Sequence, residues 1–286
     1  MTPARSTRYR SELALRVLTG VAMAAVALIA LVAGGIAFWL LAVVASLLMM
    51  SEWADLHGAT ARQKRTAQFA LSVPLAIMAP ASLILETRNF FVLGLLAGAA
   101  FFTVIVTRGQ KLGRELALGV LYCGLPVLAL TFLRRQHAPG TASQYWGLVW
   151  AIWTMALVWM TDIGAYAAGR AVGGPKLLPA VSPNKTWAGL IGGVALASVF
   201  GAAMHIGYGL PLRLTLATPL LAVLAQGGDL YESWLKRRAG VKDSGSLLPG
   251  HGGVMDRLDG LVPVAPAAAL LAVLPTLYHF TANWHR

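Results

Sequence analysis

Long apolar segments alternate with short polar ones along almost the whole chain. An α-helix needs about 20 apolar residues to cross the hydrocarbon core of a bilayer. The first apolar segment, 13–50, is long enough for two such helices and is broken near Gly34 and Gly35. The later segments are 69–85, 90–106, 116–133, 146–168, 187–208, 214–230 and 261–280. The pattern predicts an all-α polytopic integral membrane protein with about nine transmembrane helices.

The composition supports this fold class. Hydrophobic residues make up 57% of the 286 and charged residues only 12%, whereas soluble domains carry about 25% charged residues. The single cysteine, Cys123, lies within an apolar segment, so no intrachain disulfide can form. The net charge of +12 does not indicate nucleic-acid binding, because the basic residues are scattered over short loops. The expected partners are therefore membrane lipids and an anionic ligand, and not nucleic acid.

The distribution of basic residues predicts the orientation of the chain. Most of the 23 lysines and arginines fall in segments that lie in the cytoplasm if the N-terminus is cytoplasmic. This orientation places two polar loops, 169–187 and 231–260, on the cytoplasmic side of a cell membrane. We expect an N-terminal transmembrane region, 1–135, which serves as scaffold or dimer surface. A C-terminal catalytic region, 136–286, then carries both loops.

Acidic and basic residues are concentrated in 233–259. Five of the 11 acidic residues of the chain lie between 229 and 259. Asp229 and Glu232 are three residues apart and share a helical face, and Asp256 and Asp259 share one if the last helix has already begun. Glycines after His251 allow a backbone to approach a ligand closely. Carboxylates, cations and glycines together indicate a phosphate ligand with Mg²⁺, and a single histidine is too little for a zinc site.

A second polar segment, 162–193, carries further candidates. Asp162 lies in an apolar helix, where an acid is a functional candidate by default; the alternative is a helix–helix hydrogen bond or an ion pair with Arg170. The stretch 182–186, Ser-Pro-Asn-Lys-Thr, is interpreted as the start of a helix whose free amides and lysine suit a phosphate. An ordinary capped cytoplasmic loop is the alternative interpretation.

These two segments resemble the signature of the phosphatidate cytidylyltransferase (CDP-diacylglycerol synthase) family. The pattern SxLKRxxxxKDxGxLLPGHGGxxDRxD is matched over 233–259, DxGAYxxGR over 162–170 and SPxKT over 182–186. The many-span architecture also agrees with that family. One departure is Ala188, since the family commonly has glutamate two residues after the threonine of SPxKT. Either another acid substitutes for it or the activity is reduced.

The resemblance implies that CTP and phosphatidic acid react to give CDP-diacylglycerol and pyrophosphate. It implies Mg²⁺, and a possible second cation, held by Asp229, Asp256 and Asp259. The other catalytic candidates are Lys236, Arg237, Lys242, Asp243 and His251, with His251 as a base. The substrate-binding candidates are Asp162, Ser182, Asn184, Lys185, Thr186, Gly252, Gly253 and Arg257.

Because CTP is soluble and the lipid stays in the bilayer, we expect a polar cavity at the cytoplasmic surface that opens sideways to lipid. Glycine- and alanine-rich spans would permit a homodimer. Three alternatives stay open: a transporter, a related enzyme acting on another lipid phosphate, and a catalytically weak paralogue. The transporter is disfavoured because the acids gather at one membrane face rather than mid-span.

Overall fold

A computed structural model describes residues 3–80, 89–107, 111–137, 145–248 and 252–284. The helices are α1 (Pro3–Ala33), α2 (Gly35–Leu56), α3 (Ala61–Ile77), α4 (Asn89–Val106), α5 (Lys111–Arg134), α6 (Tyr145–Val172), α7 (Trp187–Tyr208), α8 (Leu212–Arg238), α9 (Met255–Leu258) and α10 (Leu261–Trp284). Two short strands, β1 (Lys176–Leu178) and β2 (Ser182–Thr186), lie between α6 and α7. The expectation of a mainly helical protein is confirmed.

Each predicted span overlaps a helix, and α7 has the predicted bounds. Over the described residues, four helices are both long and apolar enough to cross a membrane, namely α2, α5, α6 and α7. Shorter apolar helical stretches cover 18–33, 91–106 and 261–274. These helices support a membrane protein, and the number nine stays a prediction.

The third predicted span, 69–85, is misplaced at its start. Helix α3 begins eight residues earlier, because Thr60 and Gln63 form a capping box. The Thr60 amide donates to Gln63 Oε1 at 2.9 Å, and the Gln63 amide donates to Thr60 Oγ1 at 3.4 Å. Such reciprocal bonds satisfy two amides that the first turn of a helix leaves free. The helix ends at Ile77, and residues 81–85 lie outside the described residues.

The interpretation of 182–186 as the start of a helix is wrong. These residues form β2, which pairs antiparallel with β1 so that Lys176 faces Thr186 and Leu178 faces Ser182. Proline favours extended backbone in itself and in the residue before it, so Ser182 and Pro183 suit a strand. The helix starts only at Trp187, and Thr186 is its N-cap. This hairpin is the departure from an all-α fold in the described part of the chain.

The predicted loop 231–260 is shorter than expected. Helix α8 continues to Arg238, so Asp229 and Lys236 are both helical. A single helical turn, α9, then ends at Leu258. Asp256 lies within α9 and Asp259 follows it, so the expected shared helical face of these two aspartates does not form.

The chain divides into two compact units. The first contains Met1–Gly124 and Lys236–Leu258, and the second contains Leu125–Leu235 and Asp259–Arg286. Much of the signature segment therefore belongs to the unit of the N-terminal helices, whereas the sequence alone assigns it to a C-terminal region. In the first unit, buried Trp53 donates its indole N–H to the Glu115 carbonyl at 2.8 Å. Cys123 is buried there, as its apolar surroundings predict.

In the second unit, α6 and α7 pack closely through small residues. A Cβ atom at Gly164 would lie 2.5 Å from the Gly192 carbonyl oxygen and 2.9 Å from Leu196 Cβ. A Cβ at Gly193 would meet the Thr161 carbonyl oxygen at 2.7 Å. Small residues at such positions let two helix backbones approach each other in a membrane. This packing holds the ends of α6 and α7 beside the hairpin that connects them.

We expect Gly164→Ala to lower the thermal melting midpoint in detergent, because the methyl group forces two backbones apart at a cost of about 1–3 kcal/mol. Gly207→Ala is the matched control on α7, because a Cβ atom at that position would have no neighbour within 4 Å. Alanine is the better helix former, so the control should be neutral or slightly stabilising. Equal melting midpoints for both variants would contradict the packing role of Gly164.

Candidate active site

The charged candidates fall into two clusters, one in each unit. The Asp256 cluster of the first unit consists of Glu52, Lys236, Ser244, Gly253 and Asp256. The Asp229 cluster of the second unit consists of Asp162, Lys185, Gln226, Asp229 and Asp259.

Asp256 is the centre of the first cluster. Its Oδ1 accepts a hydrogen bond from Lys236 Nζ at 2.6 Å. Its Oδ2 accepts from the Ser244 amide at 2.9 Å, the Ser244 hydroxyl at 3.0 Å and the Gly253 amide at 2.7 Å. The aspartate side chain is only 6% exposed and the lysine side chain 13%. Buried charges are tolerated when they are paired and hydrogen-bonded in this way.

These contacts determine how Asp256 titrates. Burial alone raises the pKa of Asp256, but the hydrogen bonds from Lys236, Gly253 and Ser244 and the lysine charge outweigh it. The net result is a pKa below the ordinary value for aspartate. Asp256 is therefore ionised at neutral pH and forms a stable ion pair with Lys236.

The glycines of the signature segment are required by close packing around two carboxylates. Gly252 has a φ of 78°, a conformation that other residues rarely adopt. A Cβ at Gly253 would overlap the Ser244 hydroxyl and lie 2.5 Å from Glu52 Oε2. The Gly253 amide, which the sequence suggests as a donor to substrate, donates to Asp256 instead. The turn thus holds carboxylates of the protein itself.

Glu52 is a member of this cluster that the sequence reasoning missed. Its carboxylate is buried at the end of α2 and accepts hydrogen bonds from residues 192 to 203 positions later in the chain. The only signal in the sequence is a lone acid after a long apolar segment. Gln226 was missed for a similar reason, as a single amide at the end of an apolar run.

Lys185 and Asp229 form the core of the second cluster. Strand β2 carries Lys185, whose ammonium is paired with the Asp229 carboxylate and donates to Gln226 Oε1 at 3.0 Å. The lysine side chain is 17% exposed and the aspartate 29%. The hairpin and α8 therefore present a half-buried ion pair. Thr186 accepts from the Gly189 amide at 3.1 Å and so caps α7, which is a structural use of this predicted substrate-binding residue.

Asp259 adds a second carboxylate beside Asp229. Burial, followed by repulsion from Asp229 and Asp162, raises the pKa of Asp259 to about 7. Hydrogen bonds from the Gly260 amide and with the Glu232 side chain act in the opposite direction without cancelling it. Carboxylates that repel one another in this way favour the arrival of a cation.

Most of the remaining candidates lie at the surface. Asn184, Arg237, Lys242, Asp243 and Arg257 are exposed, and Ser182 is half-buried. Arg237 donates to the Val241 carbonyl at 3.5 Å. His251 lies outside the described residues. Over the described ranges, no three side chains of histidine, cysteine, aspartate or glutamate are grouped so that they could hold a metal ion.

Comparisons with known proteins agree with the signature. Residues 14–274 match the cytidylyltransferase family. Proteins named phosphatidate cytidylyltransferase from Brucella suis biovar 1 and Brucella melitensis biotype 1 are 40% identical over 276 residues, covering 94% of this chain and 95% of theirs. One of the same name from Bacillus subtilis is 43% identical over 132 residues, covering 45% of this chain and 49% of its own. The chain belongs to the cytidylyltransferase family.

Proposed function

We propose that the protein is a phosphatidate cytidylyltransferase, which converts CTP and phosphatidic acid into CDP-diacylglycerol and pyrophosphate. The 40% identity over 94% of the chain to proteins of that name supports this function. In the structure, the main support for this function is the buried ion pair between Lys236 and Asp256, because both residues belong to the signature segment. Related enzymes acting on another lipid phosphate would share the same head-group chemistry.

The reaction is a transfer of a nucleotidyl group between phosphates. A phosphate oxygen of phosphatidic acid attacks the α-phosphorus of CTP, and the bond from that phosphorus to the bridging oxygen breaks to release pyrophosphate. The attacking oxygen already carries negative charge, so no strong base is required and the role of His251 as a base stays a hypothesis. Such a transfer depends mainly on positioning and on neutralisation of charge.

Lys185 and Lys236 are the cations best placed for this task. Each is held by an aspartate, Asp229 and Asp256 respectively, so each ammonium has a fixed position before any phosphate is bound. Lysine serves as a point charge for phosphates. The exposed cations Arg237, Lys242 and Arg257 would attract the anionic nucleotide, and Ser182 and Asn184 would donate hydrogen bonds. Asp162 and Asp243 would orient these cations.

The family implies Mg²⁺, and the second cluster suits this ion. Mg²⁺ is commonly bound by one or two carboxylates together with phosphate oxygens and water, so a group of three protein ligands is not needed. Asp229 and Asp259 supply two carboxylates whose mutual repulsion a cation would relieve. When bound, the ion would neutralise charge on the triphosphate. Both Asp256 oxygens already accept hydrogen bonds, so we assign Asp256 to positioning Lys236 rather than to the metal.

Several finer points remain part of the proposal. The active site faces the cytoplasm and the N-terminus is cytoplasmic, as the distribution of basic residues predicts. The site opens sideways to lipid, and the protein forms a homodimer.

The first turn of α7 contains no acidic residue, so Ala188 has no acidic neighbour in that turn. We propose that the acids of the Asp229 cluster take over the role of the missing glutamate.

The purified protein should transfer label from radiolabelled CTP into a chloroform-soluble product when phosphatidic acid and Mg²⁺ are present. EDTA should abolish the transfer, because the triphosphate charge is then not neutralised. Incubations without lipid, or with a polyprenyl phosphate in place of phosphatidic acid, are the controls. No labelled lipid over a range of phosphatidic acids would refute the function, and transfer only to the polyprenyl phosphate would favour the related enzyme class.

Asp259→Asn should raise the Mg²⁺ concentration that gives half-maximal activity about tenfold or more, because one of two proposed carboxylate ligands is lost. The measurement is a Mg²⁺ titration of the same assay. Asp55→Asn is the control, since Asp55 is more than half exposed and pairs with Lys64 at the surface. A Mg²⁺ response of Asp259→Asn that matches the control would exclude Asp259 as a ligand.

Acid should destabilise the protein through Asp256. Because the pKa of Asp256 is depressed in the fold, its ion pair contributes stability above the ordinary aspartate pKa of about 4, and this contribution is lost as the pH falls below that value. Asp256→Asn removes the carboxylate from a buried pair, which costs about 3–5 kcal/mol. Its melting midpoint should be far below that of wild type at pH 7, and closer to it at pH 3.

Asp55→Asn again serves as the comparison, because an exposed ion pair contributes only about 0–1 kcal/mol. It should melt near the wild-type temperature at both pH values. A constant difference between Asp256→Asn and wild type from pH 7 to pH 3 would contradict the ion-pair explanation.

A further inference from the structure

Glu52 is a buried carboxylate that the chemical steps above do not use. It lies near the C-terminal end of α2 and is 7% exposed. Its Oε1 accepts from the Val254 amide at 2.8 Å, and its Oε2 accepts from the Met255 amide at 2.8 Å and from the Ser244 hydroxyl at 2.9 Å. A buried carboxylate that accepts this many hydrogen bonds must be matched closely by the segment that donates them.

The contacts of Glu52 interlock with those of Asp256. The Ser244 hydroxyl lies between Glu52 Oε2 and Asp256 Oδ2, at 2.9 and 3.0 Å. Three successive amides, 253 to 255, all point at one or other of these carboxylates. The turn before α9 is therefore fixed from both sides, by Asp256 from within the segment and by Glu52 from a helix about 200 residues earlier.

Steric contacts restrict the same segment further. A Cβ at Gly245 would lie 2.9 Å from Glu52 Oε1, and a Cβ at Gly253 would lie 2.5 Å from Glu52 Oε2. Residues 244–245 and 253–255 thus pack directly against the Glu52 carboxylate. Such close packing restricts the motion of the backbone around Glu52, because atoms in a densely packed protein interior have little space to move.

We propose that Glu52 is a positioning residue for the reaction. It fixes residues 244–245 and 253–255, and through Ser244 and Gly253 it fixes the Asp256 carboxylate that holds Lys236. The N-terminal helix α2 is then part of the support of the active site and not only scaffold. This inference rests on the proposed function for its effect on turnover, whereas its effect on the segment can be measured without the reaction.

The test uses the full-length protein in detergent with the variant Glu52→Gln. The glutamine amide is nearly isosteric with the Glu52 carboxylate. Its NH₂ group would nevertheless face a backbone N–H or the Ser244 hydroxyl, so at least one of the donors that bind Glu52 would lose its acceptor. We expect kcat to fall about 100-fold, as for a displacement of catalytic groups by about 1 Å. The KM for CTP should change by less than about threefold, because Glu52 is buried and its carboxylate accepts hydrogen bonds from Ser244, Val254 and Met255 of the protein itself.

Hydrogen–deuterium exchange gives a readout that is independent of turnover. Amides in 244–256 should exchange about tenfold faster in Glu52→Gln, whereas those of α7 should keep the wild-type rate. Glu115→Gln is the matched control: Glu115 belongs to the same unit, and its carboxylate lies beside His57 and Arg238 at 3.7 and 3.8 Å. It should leave both kcat and exchange in 244–256 unchanged.

Ser244→Ala extends the test if Glu52→Gln does not fold. It removes the shared hydroxyl and keeps the amides, so we expect a smaller change in the same direction. Wild-type exchange in 244–256 for both variants would overturn the proposal. Faster exchange throughout the chain, with kcat reduced in proportion to the folded fraction, would show an ordinary stabilising residue and would also overturn it.

If the wild type shows no cytidylyltransferase activity, the proposed function fails while the exchange result still tests the positioning of the segment.

Discussion

The hydrogen bonds accepted by Asp256 are the interaction on which the signature segment depends. One oxygen is bound by the Lys236 ammonium and the other by the Ser244 and Gly253 groups. A carboxylate so little exposed must have its charge compensated, and these donors come from the last turns of α8, from Ser244 and from the turn before α9. In the described parts of this loop, Ser244 and Gly253 are therefore held at the same charged group.

The same constraint explains why each cluster contains a lysine–aspartate ion pair. Next to a bilayer, an uncompensated lysine or aspartate is costly, and the pairs Lys185–Asp229 and Lys236–Asp256 remove this cost within each unit. A phosphate ligand can replace a carboxylate as the partner of a lysine without leaving a charge unpaired. For a cytidylyltransferase, whose proposed substrates all carry phosphates, such pairs keep the cations in position while the site is empty of substrate. We regard this exchange of partners as the physical link between the structure and the proposed function.

Glu52 shows that the N-terminal helices contribute more than membrane anchoring. Its carboxylate accepts hydrogen bonds from the amides of Val254 and Met255, which directly follow the two glycines, and it does so from a helix far away in the sequence. Long-range hydrogen bonds of this kind join α2 to the part of the signature segment that lies in the same unit. A change in α2 can therefore alter the segment that carries Lys236 and Asp256.

The sequence alone determined the membrane class, the position of most helices and the family. These follow from apolar periodicity and from a long motif, both of which are local properties of the chain. Only the tertiary structure decided that 182–186 is a strand, that Asp256 and Asp259 belong to different clusters, and that Glu52 completes the turn at 253–255. The physical reason is that a hydrogen bond between residues about 200 positions apart leaves no period in the sequence. The carboxylate that accepts a hydrogen bond from a given buried donor is determined only when the helices pack.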